Sequence, residues 1–163
     1  MRTLILLRHA KSDYPTGVPD HDRPLAPRGI REGALAGDWL RAHAPAIDAV
    51  LCSTATRTRQ TLARTDIDAP VQFVDRLYDA TPGIALAEIN KAADDDATLL
   101  LIGHEPVMSS LALGLAGAGS SADAVEAIEQ KYPTSSLAVL RTEKSWRDLE
   151  LGGAQLVTFH VPR

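Results

Sequence analysis

The feature that most constrains this chain is a repeating order of short apolar runs, polar turns and amphipathic segments. Thr3-Leu4-Ile5-Leu6-Leu7 is an unbroken apolar and β-branched run that stops at Arg8-His9. A run without polar alternation suits a strand buried on both faces of a sheet. A loop rich in Pro, Asp and Gly follows, from about Ser12 to Pro24. Pro27 suits the first turn of a helix in which Ile30, Leu35, Trp39 and Leu40 recur near helical spacing, and Pro45 ends it. Ala49 to Cys52 reads as a second strand, with Ser53 or Thr54 placed to cap a helix running through Leu62.

The pattern then repeats. Val71 to Val74 is a third strand, and Thr81-Pro82 opens a helix holding Ile84 to Ile89. Asp94-Asp95-Asp96 reads as a solvated turn before a fourth strand, Thr98 to Ile102. Gly103-His104-Glu105-Pro106 leads into a helix from Val107 to about Leu115, punctuated by Gly114, Gly117 and Gly119. A short helix at Ala122 to Glu129 and strands at Leu137 to Leu140 and Leu156 to Val161 complete the reading. Such alternation with short connections predicts a three-layer α/β/α sandwich with a mostly parallel central sheet. The 163 residues make one domain, 1–163, at the typical size of about 150. The apolar run at Leu4 to Leu7 is too short for a signal peptide core or a membrane span, and a soluble, cytoplasmic protein is expected. Cys52 stands alone, which excludes an internal disulfide framework and a cysteine cluster for zinc.

In open parallel sheets, ligands bind at the carboxyl ends of the strands. That rule selects Arg8-His9 after the first strand, Ser53 to Gln60 after the second and His104 after the fourth. Two histidines and at least two arginines therefore converge on one rim. Charge supports an anion site there: residues 1–64 carry ten Lys/Arg against six Asp/Glu (+4), and residues 65–163 seven against fifteen (−8). Arginine grips phosphate or carboxylate in bidentate fashion. An overall charge of −4 and 4% aromatics argue against a nucleic-acid partner. A neutral histidine attacks phosphorus without prior deprotonation, and arginines neutralise the phosphoryl oxygens as charge shifts.

Three segments now acquire a family likeness. Leu6-Leu7-Arg8-His9-Ala10-Lys11, Ser53-Thr54-Ala55-Thr56-Arg57-Thr58-Arg59-Gln60-Thr61 and Ile102-Gly103-His104-Glu105-Pro106 resemble, in order and spacing, the motifs of the histidine phosphatase (phosphoglycerate mutase-like) superfamily. Asp22-Arg23-Pro24-Leu25, Arg28-Gly29 and Tyr132-Pro133-Thr134-Ser135 resemble its phosphohistidine phosphatase, SixA-type branch. Ala10 stands where the superfamily has glycine, a mark of the branch. The resemblance implies a phosphoglycerate mutase-like fold and a metal-independent phosphatase that uses no cofactor. His9 would be the nucleophile, with Arg8, Arg57 and His104 holding the phosphoryl oxygens and His104 protonated or donating. Asp79 is a candidate proton donor, with Glu105 the other. The implied substrate is phosphohistidine in a protein, or alternatively a small phosphomonoester or nucleotide phosphate, or the chain is a silent phosphate-binding module. No membrane partner is expected, and the sequence leaves oligomeric state open.

The remaining prominent residues have plainer readings. His43 lies near a helix end, His21 in an exposed loop and His160 on the last strand. Trp39 is expected in the core, Trp146 in a hairpin connection and Arg59 in a surface ion pair, while Lys11 and Arg23 could extend the anion site. Cys52 fails the Cys-x5-Arg spacing of thiol phosphatases because position 58 is threonine. It is expected to be a buried thiol. If His9 must be neutral and a donor protonated, turnover peaks in the mildly acidic to neutral range.

Overall fold

The computed structural model describes residues 1–163. Its strands are Arg2–Arg8 (β1), Ala49–Ser53 (β2), Val71–Val74 (β3), Thr98–Gly103 (β4), Leu137–Thr142 (β5) and Gln155–His160 (β6). Helices span Pro27–His43 (α1), Thr56–Thr65 (α2), Pro82–Asn90 (α3), Val107–Leu115 (α4) and Ala122–Gln130 (α5). The six strands form one sheet in the order β3-β2-β4-β1-β5-β6. The first four are parallel; β5 joins the far side of β1 antiparallel, and β6 pairs antiparallel with β5. The predicted mostly parallel sandwich is the observed fold. No helix is long and apolar enough to cross a membrane.

Strand alternation divides the core between two faces. Leu4 and Leu6 of β1 join a cluster of 22 buried residues, whereas Ile5 and Leu7 join one of ten on the opposite face. The larger cluster takes Ile89 of α3, Leu111 and Leu115 of α4, and Ile128 of α5. The smaller is covered by α1 and α2, and α2 buries Arg57, Thr58, Thr61 and Thr65 in place of apolar side chains. Close approach replaces bulk there: a Cβ at Gly37 would lie 2.1 Å from the Thr65 carbonyl oxygen, and one at Gly29 2.1 Å from that of Lys11. Those two glycines bring α1 down onto α2 and onto the segment that follows β1.

Several expectations are corrected by this packing. Leu35 is exposed, because α1 turns Gly33, Ala36, Gly37 and Leu40 inward. Trp39 is only half-buried. Trp146 does sit in the β5–β6 connection, yet its side chain is fully buried in the larger core and its Nε1–H donates to the Asp96 carbonyl at 2.6 Å. Neither Ser53 nor Thr54 caps α2; its N-cap is Ala55, without a side-chain cap. Thr81 does cap α3, accepting from Ile84 N at 3.2 Å.

Candidate active site

The site is assembled by strand order. Arg8 on β1 is in register with Gly103 on β4, so His9 and His104 leave the sheet side by side. Their rings lie 5.3 Å apart between centroids. On the other side of β4, Cys52 of β2 pairs with Ile102, which brings Ser53 Oγ to 2.8 Å from His104 Nε2. Helix α2 begins three residues after Ser53 and buries Arg57. Arg8, His9, Arg57 and His104 share a cavity of about 240 Å³, which Lys11, Arg23 and Glu105 also line. All four predicted pocket residues are thus brought together, and the two extra cations are placed beside them.

A wrapping segment fixes the orientation of Arg8 and His9. Tyr132 Oη donates to the Leu6 carbonyl at 2.6 Å, and Arg8 Nη1 donates to the Tyr132 carbonyl at 2.7 Å. Ser135 N donates to the His9 carbonyl at 3.1 Å, and Arg8 N to the Ser136 carbonyl at 3.0 Å. Ser135 takes a left-handed φ of 64° to do so. Arg57 is held from the other side by Asp20, donating to its carbonyl at 2.7 Å and its carboxylate at 3.1 Å. Asp20 also accepts from Arg23 Nε at 3.0 Å and from the Tyr78 hydroxyl. Buried polar atoms ordinarily find partners. Here Arg8 Nε, Arg57 Nε and His104 Nδ1 are buried without one in the protein.

Burial sets the protonation of the histidines. Desolvation pushes His9 down to about 3, with His104, Arg57 and Arg8 adding repulsion against the opposing bond to Ala10. His104 is pushed down to about 4, first by burial and then by Arg57. Both rings are neutral at neutral pH, so of the two expected states of His104, protonated or donating, burial disfavours the protonated one. His9 Nδ1 lies 2.7 Å from the Ala10 carbonyl, an acceptor only, so this nitrogen carries the proton and Nε2 holds the free lone pair. Ala10 itself is fully buried, its N–H donating to Thr61 Oγ1 at 2.8 Å. Its methyl faces α1 at Gly33, where a Cβ would still be 3.8 Å away. The turn after His9 therefore accommodates alanine.

Other sequence-level candidates are sorted by position. Asp79 is exposed and does not line the cavity, whereas its neighbour Tyr78 packs edge-on against His104, with ring centroids 5.6 Å apart. Glu105 does line it, with Oε1 accepting from Ser109 N at 2.6 Å and Oε2 from Ser109 Oγ at 2.8 Å. His21 is half-buried rather than free in a loop: its Nε2 lies 3.0 Å from Thr54 Oγ1 and its ring meets Tyr78 edge-on. Arg59 makes no ion pair; it donates to the Thr54 carbonyl and lies over the Phe73 ring at 4.1 Å. Cys52 is fully buried, and desolvation pushes its thiol up to about 12, so it is no nucleophile. Asp20, Tyr78, Ser53 and the Tyr132 carbonyl escape sequence reasoning as parts of this site. Ser53 and Tyr132 carried a signal, each as the first residue of a motif.

Residues 4–85 match the model of the histidine phosphatase superfamily, branch 1. An uncharacterized protein of Mycobacterium tuberculosis is 61% identical over 158 residues, covering 96% of this chain and 100% of that protein. A solved structure described as a candidate phosphohistidine phosphatase SixA, from Nakamurella multipartitia, is similar at TM-score 0.91 and 41% identity, covering 99% of this chain and 96% of the other. A second of the same description, from Agrobacterium tumefaciens, has TM-score 0.82 and 28% identity, covering 99% and 98%.

Proposed function

This chain belongs to the histidine phosphatase superfamily, in its SixA-type branch, and is a phosphatase; from that premise we propose that His9 is its nucleophile and that it removes phosphate from phosphohistidine in proteins. One observation carries the assignment of the site. Arg8, Arg57 and His104, each with a buried nitrogen that has no partner in the protein, line the same cavity as His9, whose Nε2 is free. Donors arranged before the reaction stabilise developing charge without reorganisation. Ser53 Oγ lies 2.8 Å from His104 Nε2 and holds that ring, whose Nδ1 has no partner in the protein.

In the first stage, His9 Nε2 attacks phosphorus and the bond to the leaving atom breaks with its electron pair. In the second, water attacks the phosphorylated His9. The phosphorus–nitrogen bond breaks with its pair returning to Nε2, and inorganic phosphate departs with the oxygen of that water. The arginines carry the charge compensation, so turnover is expected to persist in EDTA. We read residues 1–163 as one domain for this chemistry.

The choice of substrate rests on the proton donor. Asp79 lies outside the cavity, and both oxygens of Glu105 already accept from Ser109. An alkyl phosphate ester needs a proton delivered to its departing oxygen, whereas an imidazole protonates near neutral pH by itself. A site without a poised acid therefore suits phosphohistidine. The test compares kcat/KM on a phosphohistidine peptide, p-nitrophenyl phosphate and a set of alkyl phosphomonoesters, with His9→Ala as control. Preference for the peptide, abolished in the variant, is expected. Preference for an alkyl ester would overturn the substrate assignment, and activity surviving in His9→Ala would overturn the nucleophile.

A further inference from the structure

The cavity that holds His9 is cationic with one exception. Arg8, Lys11, Arg23 and Arg57 line it, and Glu105 is the only carboxylate that does. A carboxylate beside a phosphoryl site repels the incoming dianion, so its presence demands a reason. It is not a mobile side chain that could turn away. Glu105 directly follows His104, and its two oxygens are held by the N–H and hydroxyl of Ser109, in the first turn of α4. The positive end of that helix and the two donors hold the carboxylate in place. Its charge is felt by Arg8, where it partly offsets the effect of burial. Ser109 occupies one lone pair on each oxygen, and a carboxylate offers about four in all.

A fixed anion within a cationic pocket fits a ligand that is anionic at one end and carries a polar N–H at the other. Resting on the phosphohistidine reading above, we propose that Glu105 accepts a hydrogen bond from the second ring nitrogen of the substrate's phosphoimidazole and so sets the preference of this site for phosphohistidine over phosphate esters. The chemistry needs that nitrogen protonated. With a proton already there, the departing nitrogen keeps the electron pair of the broken phosphorus–nitrogen bond and leaves as neutral imidazole. No proton then has to reach the departing atom. Glu105 acts by holding the protonated form of the substrate and transfers no proton itself. A phosphate ester has no such N–H, and for it the same carboxylate is only a repulsive charge.

The two substrate classes should therefore respond to Glu105 in opposite directions. Glu105→Gln keeps the shape and one oxygen for Ser109 but removes the charge. On a phosphohistidine peptide its kcat/KM is expected to fall about tenfold or more, the scale of a lost charge-assisted hydrogen bond. On p-nitrophenyl phosphate it holds or rises, and the alkaline limb of the peptide profile alone moves to lower pH. Ser109→Ala, which keeps the charge but loosens its anchor, is expected to lose part of the same preference. Equal losses on both substrates in Glu105→Gln, or no loss on either, would overturn the assignment. Wild-type protein inactive on the peptide but active on p-nitrophenyl phosphate would overturn the substrate reading and this inference with it. An active wild type with an unselective variant would overturn this inference alone.

Discussion

Two pairs of histidines sit on this molecule, and they share almost nothing but the residue type. His9 and His104 follow adjacent parallel strands, are buried, and are held neutral by desolvation and by the cations around them. His43 and His160 instead stack on the two-ring face of Trp39, at 4.8 and 4.7 Å. His43 is exposed at the end of α1, and His160 is half-buried on β6, lowered by burial and by His43. The first pair has arginine donors without partners beside it; the second has an aromatic plane. The difference shows that an imidazole becomes reactive through what is placed around it, because burial and oriented donors decide which nitrogen is free.

The largest effect should come from exchanging the pairs as targets. His9→Ala is expected to lower kcat by at least about 10³-fold on any accepted substrate, since it removes the attacking atom. His43→Ala should leave steady-state turnover close to wild type. Comparable losses from both would dissolve the distinction. Arg57→Ala comes next, with an expected loss of about 10²- to 10³-fold, the scale of removing one donor to developing charge. A loss confined to KM would instead make Arg57 a ground-state binding group.

The third comparison is thermodynamic. His9 and His104 sit near 3 and 4 when folded against an ordinary value of 6.5, so between these limits the unfolded chain binds more protons than the folded one. The stability they contribute is complete above about pH 6.5 and is lost as pH falls toward the folded values. Melting temperature is therefore expected to drop between pH 7.5 and 4.5, and the drop should be smaller in a His9→Gln, His104→Gln double variant. An unchanged slope would mean that the two rings take up protons in the folded state as they do unfolded. The smallest effect belongs to the outer pair: His43→Ala should shift unfolding free energy by no more than about 0.5 kcal/mol, as exposed substitutions do. A urea titration measures it.

Much of this arrangement is local in origin. The run Thr3 to Leu7 becomes β1 because it is apolar on both faces, and Thr81-Pro82 opens α3 by a cap and a fixed φ. Arg8-His9, Arg57 and His104 are legible as a site because each follows a parallel strand, and strand ends converge by rule. What escapes the reading arises from contacts distant in sequence. Ser53 has the composition of a cap, yet its hydroxyl lies against His104, 51 positions away. Asp20 lies in the Pro- and Asp-rich segment between β1 and α1 and meets Arg57, 37 positions on, and Tyr78, 58 positions on. Trp146 looks exposed among charged neighbours, but its connection folds back over the larger core.

The sequence by itself determined the strands and helices, the order of the three motifs and which side chains could do phosphoryl chemistry, because periodicity, caps and residue type are properties of adjacent residues. Only the tertiary structure decided that Asp79 stands outside the cavity and Glu105 inside it, that His104 is neutral, and that Cys52 is sealed away. Those outcomes depend on desolvation and on charges supplied by separate elements, and both come into being only when the strands pack.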